Sequence, residues 1–247
     1  MNDDIKARTY SGKTIPLWYW SGKNVYVLLS RIGPYKIFFA DINKTAPNNE
    51  LESEVINAYM SLLVKRFNTH SEVQAFQIDT FEMTKIWNGK RSKLKVDPTM
   101  YKYLIGIVND HHHWTVVIML PSQRRALFLD PMGEISSNLK RCQDVTRAFL
   151  QHKGCHVSRW SCRTLPHPKQ KDGTSCGVFA LKFAECVLRE EPIVFLNTAE
   201  GVEELRKAIA VTLLQNSDDL SQLCHACGEE SGDYNWVSSY KLFSVYL

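Results

Sequence analysis

The sequence predicts a single compact domain of mixed helices and strands, because 247 residues of which 44% are hydrophobic can bury one sizeable core. Residues 51–68, LESEVINAYMSLLVKRFN, place apolar side chains at spacings of three and four, which is typical of an amphipathic helix. Three adjacent strands are indicated by short apolar runs, YLIGIV (103–108), WTVVIML (114–120) and ALFLD (126–130). Helical spacing returns in three later segments, 139–150, 176–187 and 201–215.

Strands and loops are predicted for the first 45 residues, where the turn signals SGK, SGK and GP separate the β-rich runs VYVLL and KIFFA. The segment TAPNN then ends this region. Asn49 with Glu52, or alternatively Ser53, is the predicted cap of the helix that follows. The basic stretch NGKRSKLK, residues 88–95, is predicted to be a solvated loop.

Composition and charge exclude several classes of function. A net charge of +4, from 30 basic and 26 acidic residues, lacks the concentrated basic face of a nucleic-acid-binding protein. The apolar runs are far shorter than the roughly 18 residues that a membrane-spanning helix requires. Seven cysteines without regular spacing, and no apolar leader, argue against a secreted disulfide framework. We therefore expect an intracellular monomer, nuclear or cytoplasmic, that needs no membrane, nucleic acid or cofactor.

The predicted hairpin formed by WTVVIML and ALFLD brings two polar residues close together. The connecting segment PSQRR places Asp130 opposite a position between residues 113 and 116. Opposed residues of antiparallel strands have Cβ atoms roughly 4.5 to 5.5 Å apart, so the Asp130 carboxylate can accept a hydrogen bond from the His113 imidazole. A histidine held in this way can act as a general base, with the aspartate as its orienter.

Cys176 is the candidate nucleophile, because it stands at the start of a predicted helix. Unpaired backbone N–H groups and the positive end of the helix dipole favour a thiolate at such a position. Gly173 and Gly177 allow the backbone of a substrate to come close to the sulfur. The amide of Gln170, together with the Cys176 N–H, can form a pair of donors for a developing oxyanion.

Each of these residues also has an ordinary structural interpretation. A cysteine on an apolar helix face is usually part of the core, a histidine beside a tryptophan usually packs, and an aspartate before Pro-Met-Gly is usually a turn residue. Metal-ligand residue types occur in HHH (111–113) and CHAC (224–227). A lone C-x-x-C lacks the second pair of a zinc site, and consecutive strand residues point to opposite faces, so no metal site is predicted.

Taken together, the ordered motifs resemble the ubiquitin-like-protein proteases, the SUMO or sentrin-specific cysteine protease family. The motifs are HW at 113–114, Asp130 seventeen residues after the histidine, and Q-x-x-G-x-x-C-G at 170–177. The resemblance extends to LESEVINAYMSLL as the family's L-x-D-E helix, FFADIN as the strand before it, and SCGVFALKFAECV as the nucleophile helix. It implies a protease domain over residues 35–215, an N-terminal extension over 1–34 and a C-terminal extension over 216–247.

The resemblance implies an α+β, papain-like fold, in which a helical part carrying the nucleophile packs on a mostly antiparallel sheet carrying the histidine and aspartate. It makes Cys176 the nucleophile, His113 the general base, Asp130 its orienter and Gln170 the oxyanion donor. The reaction implied is cleavage after the C-terminal Gly-Gly of a ubiquitin-like modifier. SUMO is the expected modifier, ubiquitin is the alternative, and a catalytically silent modifier-binding module is the third hypothesis.

Substrate binding is implied for Trp114 and Gly177, because the family's matching tryptophan packs over a narrow channel for the Gly-Gly tail. The sequence departs from the family at Glu50 and Ser53, where a tryptophan and an aspartate are usual in W-L-x-D-E. The second wall of the channel must then come from elsewhere. The candidate replacements are three other tryptophans, Trp18, Trp20 and Trp87.

Overall fold

The computed structural model describes residues 27–230, together with the backbone of two short strands in the predicted N-terminal extension. These strands are β1 (Arg8–Tyr10) and β2 (Lys13–Ile15), which pair antiparallel. Trp18 and Trp20, two of the tryptophans considered for the channel, lie outside the described residues.

A five-stranded sheet in the order β5-β6-β7-β8-β9 forms the centre of the domain. Its strands are β5 (Ala75–Ile78), β6 (Tyr103–Asp110), β7 (His113–Leu120), β8 (Arg125–Leu129) and β9 (Ser161–Arg163). The prediction of three adjacent strands is confirmed by β6, β7 and β8, which are antiparallel to one another. The two edge strands pair parallel with their neighbours, so the sheet is antiparallel only in its middle.

Six helices are described. They are α1 (Phe39–Asn43), α2 (Ser53–His70), α3 (Thr80–Trp87), α4 (Ser136–His152), α5 (Cys176–Leu188) and α6 (Ala199–Gln215). The helices predicted from apolar spacing are all present, and α4 extends beyond its predicted bounds at both ends. The predicted cap of α2 is wrong, because the helix begins after Glu52, whose side chain makes no capping hydrogen bond, and Ser53 is already helical.

A short hairpin precedes these helices and differs from its prediction. Strand β3 (Leu28–Ile32) pairs antiparallel with β4 (Tyr35–Phe38), but FFADIN, expected to be a strand, becomes α1 after Phe38. The Asp41 carboxylate accepts a hydrogen bond from the Phe38 N–H at 2.8 Å. This contact satisfies a backbone donor at the helix start, and it explains why the strand ends there.

Successive residues of a strand point to opposite faces of the sheet, and helices cover both of these faces. One face, with Val116, Ile118 and Leu129, packs into a core shared with α2, α5 and α6. The other face, with Val117 and Phe128, packs against α3 and α4. Helix α5 lies against β7, and this packing brings the N-terminus of the helix to the end of the strand where His113 stands.

Candidate active site

His113 is the first residue of β7 and follows a tight hairpin from β6. The two turn residues, His111 and His112, have φ angles of 53° and 63°, in the left-handed region. The side chain of Asn109 stabilises this turn by accepting a hydrogen bond from the His112 N–H at 3.1 Å. The turn ends where the strand begins, and it fixes the direction in which the His113 ring leaves the backbone.

The structure brings His113 and Asp130 together, with Nε2 of the imidazole 2.7 Å from Oδ1 of the carboxylate. The register pairs Val116 with Leu129, so that continuing it by one residue puts Asp130 across from Thr115 rather than from His113. His113 and Thr115 share one face of β7, and the hydrogen bond therefore runs diagonally between strands. The sequence spacing allowed Asp130 to lie opposite any residue from 113 to 116, and the turn between β7 and β8 places it opposite Thr115.

The carboxylate of Asp130 is buried and held from two sides. Its Oδ1 also accepts the Met132 N–H at 2.9 Å. Its own backbone N–H donates to Oε1 of Glu134 at 2.9 Å. Asp130 therefore presents one fixed oxygen to the histidine, and this arrangement fixes the ring orientation.

Cys176 is the first residue of α5 and is buried. Its Sγ lies 4.0 Å from the carbonyl oxygen of His112, at the end of the β6–β7 hairpin. The pKa of His113 is raised to about 9, first by the hydrogen bond to Asp130, then by the hydrogen bond to Cys176, and against the effect of burial. Since Nε2 faces the carboxylate, Nδ1 is left for the sulfur. This raised pKa keeps the His113 ring largely protonated at neutral pH, beside the Cys176 sulfur.

The turn before Cys176 is ordered by the carboxylate of Asp172. Its Oδ1 accepts the N–H groups of Thr174 and Ser175, each at 2.8 Å. Burial alone would raise the pKa of Asp172, but these hydrogen bonds take it below its usual range. The ionised carboxylate therefore holds the loop that leads to Cys176.

A buried arginine lies under the same turn. Arg206, on α6, is 3% exposed. Its guanidinium donates to the Thr174 carbonyl at 3.1 Å, the Ser175 Oγ at 3.1 Å and the Ala46 carbonyl at 3.2 Å. Sequence reasoning missed this residue, because an arginine on an amphipathic helix is ordinarily exposed. Its positive charge lies beside the residues that immediately precede Cys176.

Gln170 joins the aspartate loop to the nucleophile loop. Its backbone N–H donates to the Pro131 carbonyl at 2.8 Å, next to Asp130. Its side-chain Nε2 donates to the Asp172 carbonyl at 2.8 Å. An amide nitrogen carries two N–H groups, so the other one is left for a ligand. Within residues 27–230, Oε1 of Gln170 is buried and accepts no hydrogen bond.

Trp114 and Gly177 lie against each other beside the nucleophile. The indole Nε1 of Trp114 donates to the Leu51 carbonyl at 3.1 Å, and this bond fixes the ring. A Cβ at Gly177 would lie 3.1 Å from the Cβ of Leu51 and 3.2 Å from Cδ1 of Trp114. A side chain at 177 would require Leu51 or Trp114 to move by a few tenths of an ångström. A Cβ at Gly173 would meet nothing within 4 Å, so the space beside Gly173 is open, and the close approach of a substrate backbone to either glycine stays a prediction.

The departures from the family pattern leave the second wall without a tryptophan among the described residues. The carboxylate of Glu50 is 3.9 Å from Nδ1 of His112, and both side chains are exposed. Trp87 cannot replace the missing ring, because it stacks on Phe128 with centroids 5.3 Å apart in the core on the opposite face of the sheet. Its Nε1 is also used, in a hydrogen bond to Asp110. The suggestion that Trp87 closes the channel is therefore wrong.

The described part of the chain contains no group of three or more histidine, cysteine, aspartate or glutamate side chains arranged to hold a metal ion. The HHH motif is divided between a left-handed turn and the first position of β7, which separates its three rings. Among the described helices, none combines the length and the apolar character needed to cross a membrane.

Two further polar residues that sequence reasoning missed contact this site, Glu134 and His167. They are 33 positions apart in the chain and form a hydrogen-bonded ion pair behind Asp130. No spacing in the sequence indicates this pairing, because it depends on how the loop after β9 packs against the loop after β8.

Comparisons with known proteins agree with this geometry. Residues 49–219 match the model of the Ulp1 protease family, C-terminal catalytic domain. Sentrin-specific protease 2 of Mus musculus is 27% identical over 181 residues, which cover 68% of this chain and 31% of that protein. The chain thus spans about a third of the length of this curated relative.

Solved structures with the same fold include the C-terminal Ulp1 protease domain in complex with Smt3, the yeast orthologue of SUMO. It has a TM-score of 0.66 and 14% identity, and the match covers 79% of this chain and 90% of that one. The catalytic domain of the Ulp1-like SUMO protease of Chaetomium thermophilum has a TM-score of 0.62 and 16% identity, covering 87% and 88% of the two chains. These likenesses confirm the predicted α+β, papain-like fold.

The family match covers more than half of the sequence, and the residues it includes contain the nucleophile helix, the histidine hairpin and the aspartate loop. The chain therefore belongs to the Ulp1 protease family and contains its catalytic domain.

Proposed function

We propose that this protein is a cysteine protease that cleaves a SUMO-type modifier after its C-terminal Gly-Gly. One observation carries the proposal: His113 is hydrogen-bonded to Asp130 through Nε2 and interacts with Cys176 at the start of a helix. This arrangement joins a nucleophile, a base and an orienter in one contiguous set. The site residues therefore carry over as Cys176 nucleophile, His113 base, Asp130 orienter and Gln170 oxyanion donor.

The reaction begins with attack of the Cys176 thiolate on the carbonyl carbon of the last glycine. The carbonyl oxygen becomes an oxyanion, for which the free amide N–H of Gln170 and the backbone N–H of Cys176 are donors. The imidazolium of His113 then gives its proton to the leaving amine, and a thioester remains. Water, deprotonated by His113, attacks this thioester and releases the modifier as a carboxylate.

A Gly-Gly tail suits the wall formed by Trp114 and Gly177. A Cβ at residue 177 would lie 3.1 Å from Cβ of Leu51 and 3.2 Å from Cδ1 of Trp114, so the indole packs directly on the start of α5, and the proposed channel passes beside this contact. Two successive glycines carry no side chains and can pass such a wall with their backbone extended. The structural neighbour bound to Smt3 and the relatives named sentrin-specific proteases favour SUMO as the modifier.

The protease domain is proposed to span residues 35–215, and its action is proposed to be intracellular, in the nucleus or cytoplasm. All seven cysteines are free thiols in the structure, in keeping with a reducing compartment. The relative sentrin-specific protease 2 of Mus musculus is a much longer chain, of which the match covers 31%.

The test is a covalent one, with SUMO and ubiquitin that carry an electrophile in place of the C-terminal carboxylate. We expect an adduct with SUMO that is absent in Cys176→Ala. The matched control is Cys186→Ala, which removes another buried thiol from the same helix and should leave the adduct intact. An adduct with ubiquitin alone would reassign the protein as a deubiquitinase, and no adduct with either modifier would refute the proposed function.

A further inference from the structure

Glu134 and His167 form an ion pair that is almost completely enclosed. Nε2 of His167 lies 2.6 Å from Oε1 of Glu134, and the two side chains are 3% and 11% exposed. Neither residue belongs to the proposed set of nucleophile, base, orienter and oxyanion donor. A buried charged pair is costly to desolvate, and apolar side chains of similar volume often stabilise a core equally well. Stability alone therefore does not explain why a charged pair is buried at this position.

The protonation states of both residues follow from their contacts. His167 faces an acceptor at each ring nitrogen, the Glu134 carboxylate at Nε2 and the Pro168 carbonyl at Nδ1, 2.9 Å away. A neutral imidazole has only one N–H, so both contacts are hydrogen bonds only when the ring is protonated. Burial would raise the pKa of Glu134, but the hydrogen bonds from His167 and from the Asp130 N–H lower it to about 2. The pair is thus ionised at neutral pH.

The ion pair contacts the Asp130 backbone and helix α5, and it lies on the segment that leads to Gln170. Oε1 of Glu134 accepts the backbone N–H of Asp130 at 2.9 Å. The His167 ring packs on Phe183 of α5, with centroids 4.5 Å apart, and Phe183 lies about two helical turns after Cys176. His167 also lies three residues before Gln170, whose backbone N–H is bonded to the loop that follows Asp130.

We infer that Glu134 and His167 are positioning residues, which fix the Asp130 carboxylate and the Gln170 loop relative to the helix that carries Cys176. This inference rests on the proposed function for its kinetic consequence. The pair acts through Asp130, because removing Glu134 leaves the Asp130 N–H without its acceptor and His167 without its counter-charge. Small displacements of reacting groups are expensive, since a misplacement of about 1 Å can cost 10²-fold in rate.

The experiment uses three variants of the full chain and one control. Glu134→Ala removes the acceptor and the charge, Glu134→Gln keeps an acceptor oxygen without the charge, and His167→Phe keeps a ring against Phe183 without its hydrogen bonds. The control is Glu185→Gln on α5, whose side chain is also largely buried and is bonded to Lys182 at 2.8 Å, but makes no contact with the Asp130 loop.

Two measurements separate positioning from folding. The first is kcat and KM on a fluorogenic SUMO substrate, normalised to the fraction of enzyme that reacts with the electrophilic probe. The second is the pH dependence of Cys176 alkylation by iodoacetamide, followed on the Cys176 peptide by mass spectrometry, which requires no modifier. His113→Ala identifies the part of that profile that depends on the imidazolium.

For Glu134→Ala we expect kcat per active site to fall roughly tenfold to 10²-fold, with KM within a few-fold of wild type. In its alkylation profile, the imidazolium contribution should disappear at a lower pH than in the wild type. The reason is that a displaced Asp130 stabilises the protonated His113 ring less, which lowers the pKa of His113. His167→Phe should behave in the same direction, Glu134→Gln should lie between it and wild type, and Glu185→Gln should be unchanged.

Unchanged kcat per active site and an unmoved alkylation profile in folded Glu134→Ala would overturn the inference. If that variant fails to fold, the same result in Glu134→Gln and His167→Phe would overturn it. If the wild-type protein does not cleave the SUMO substrate but the Glu134 and His167 variants show the shifted alkylation profile, the proposed modifier is refuted and the positioning role is supported. A wild-type profile identical to that of His113→Ala would refute the positioning role itself.

Discussion

Replacing Asp130 by asparagine tests the relation between base and orienter most directly. The amide has nearly the shape of the carboxylate and can still accept the Met132 N–H, which Oδ1 now accepts at 2.9 Å. The negative charge beside the His113 ring is lost. The substitution therefore changes the electrostatics of the pair while leaving the loop after β8 with its backbone hydrogen bonds.

The expected shift is worked from the pKa of His113, which is raised from 6.5 to about 9. Asp130 is the largest contributor and Cys176 the second, so we assign about half of the increase to Asp130. One pKa unit is a factor of ten, so after screening at a side chain that is 26% exposed we expect a loss of about one pKa unit, or roughly tenfold in the imidazolium equilibrium.

The sign of the pH effect follows from the direction of that shift. The imidazolium is lost as the pH rises through its pKa, so the alkaline limb of kcat/KM should move from about 9 to lower pH by about one unit. We also expect kcat/KM at pH 7 to fall at least tenfold, because an amide that turns its NH2 to the ring imposes the wrong tautomer and gives up the Met132 N–H, while one that keeps its oxygen there lacks the negative charge. The upper bound is about 10⁴, the cost of the same substitution in a serine protease.

The assay is the pH profile of kcat/KM on a fluorogenic SUMO substrate, with circular dichroism to confirm that the variant is folded. Asp144→Asn is the control, because that carboxylate is exposed on α4 and forms an ion pair with Lys140 at 2.9 Å. A loss smaller than tenfold together with an alkaline limb that stays near 9 would show that Asp130 is not the orienter of His113.

Three further outcomes are expected. Gln170→Ala should lower kcat by roughly 10² to 10³ and leave KM unchanged, because the free N–H of Gln170 donates to the oxyanion of the transition state. A raised KM with normal kcat in steady-state measurements would instead make Gln170 a binding residue. Gly177→Ala should raise KM and lower the melting temperature, since its Cβ would press on Leu51 and Trp114. An unchanged KM together with an unchanged melting temperature would contradict the proposed channel beside residue 177. The lowered pKa of Glu134, about 2 against 4.5, contributes stability above pH 4.5 that is lost as the pH falls towards 2. Urea unfolding should therefore show a loss of roughly 3 kcal/mol over that interval that is absent in Glu134→Gln, and identical curves for the two proteins would refute this contribution.

Patterns within short segments were sufficient to predict most of the secondary structure. Each of these patterns lies within one element, so the periodicity of apolar residues indicates a helix or a strand without any tertiary information. This holds for the helices α2, α5 and α6 and for the strands β6, β7 and β8. The error at FFADIN is also local, because the Asp41 carboxylate satisfies the Phe38 N–H and starts a helix where apolar residues suggest a strand.

The contact between His113 and Asp130 was partly predictable. Two runs joined by a short segment must face each other, so only a few registers were open. The choice among them was made by the turn, in which Pro121–Gln123 forms a helical turn and Arg124 adopts a left-handed φ of 52°. The roles of the site residues remain predictions until the variants are measured.

Residue types and their order along the chain were enough to identify the family and to name Cys176, His113, Asp130 and Gln170 as candidates. Tertiary packing alone decided that Trp87 is buried on the far face of the sheet, that Arg206 lies under the nucleophile turn, and that His167 pairs with Glu134. Periodicity reports which face of an element is apolar, but it carries no information about which distant element covers that face. A charged residue is expected at the surface from its type, and only the packed structure shows where partners from other segments bury it.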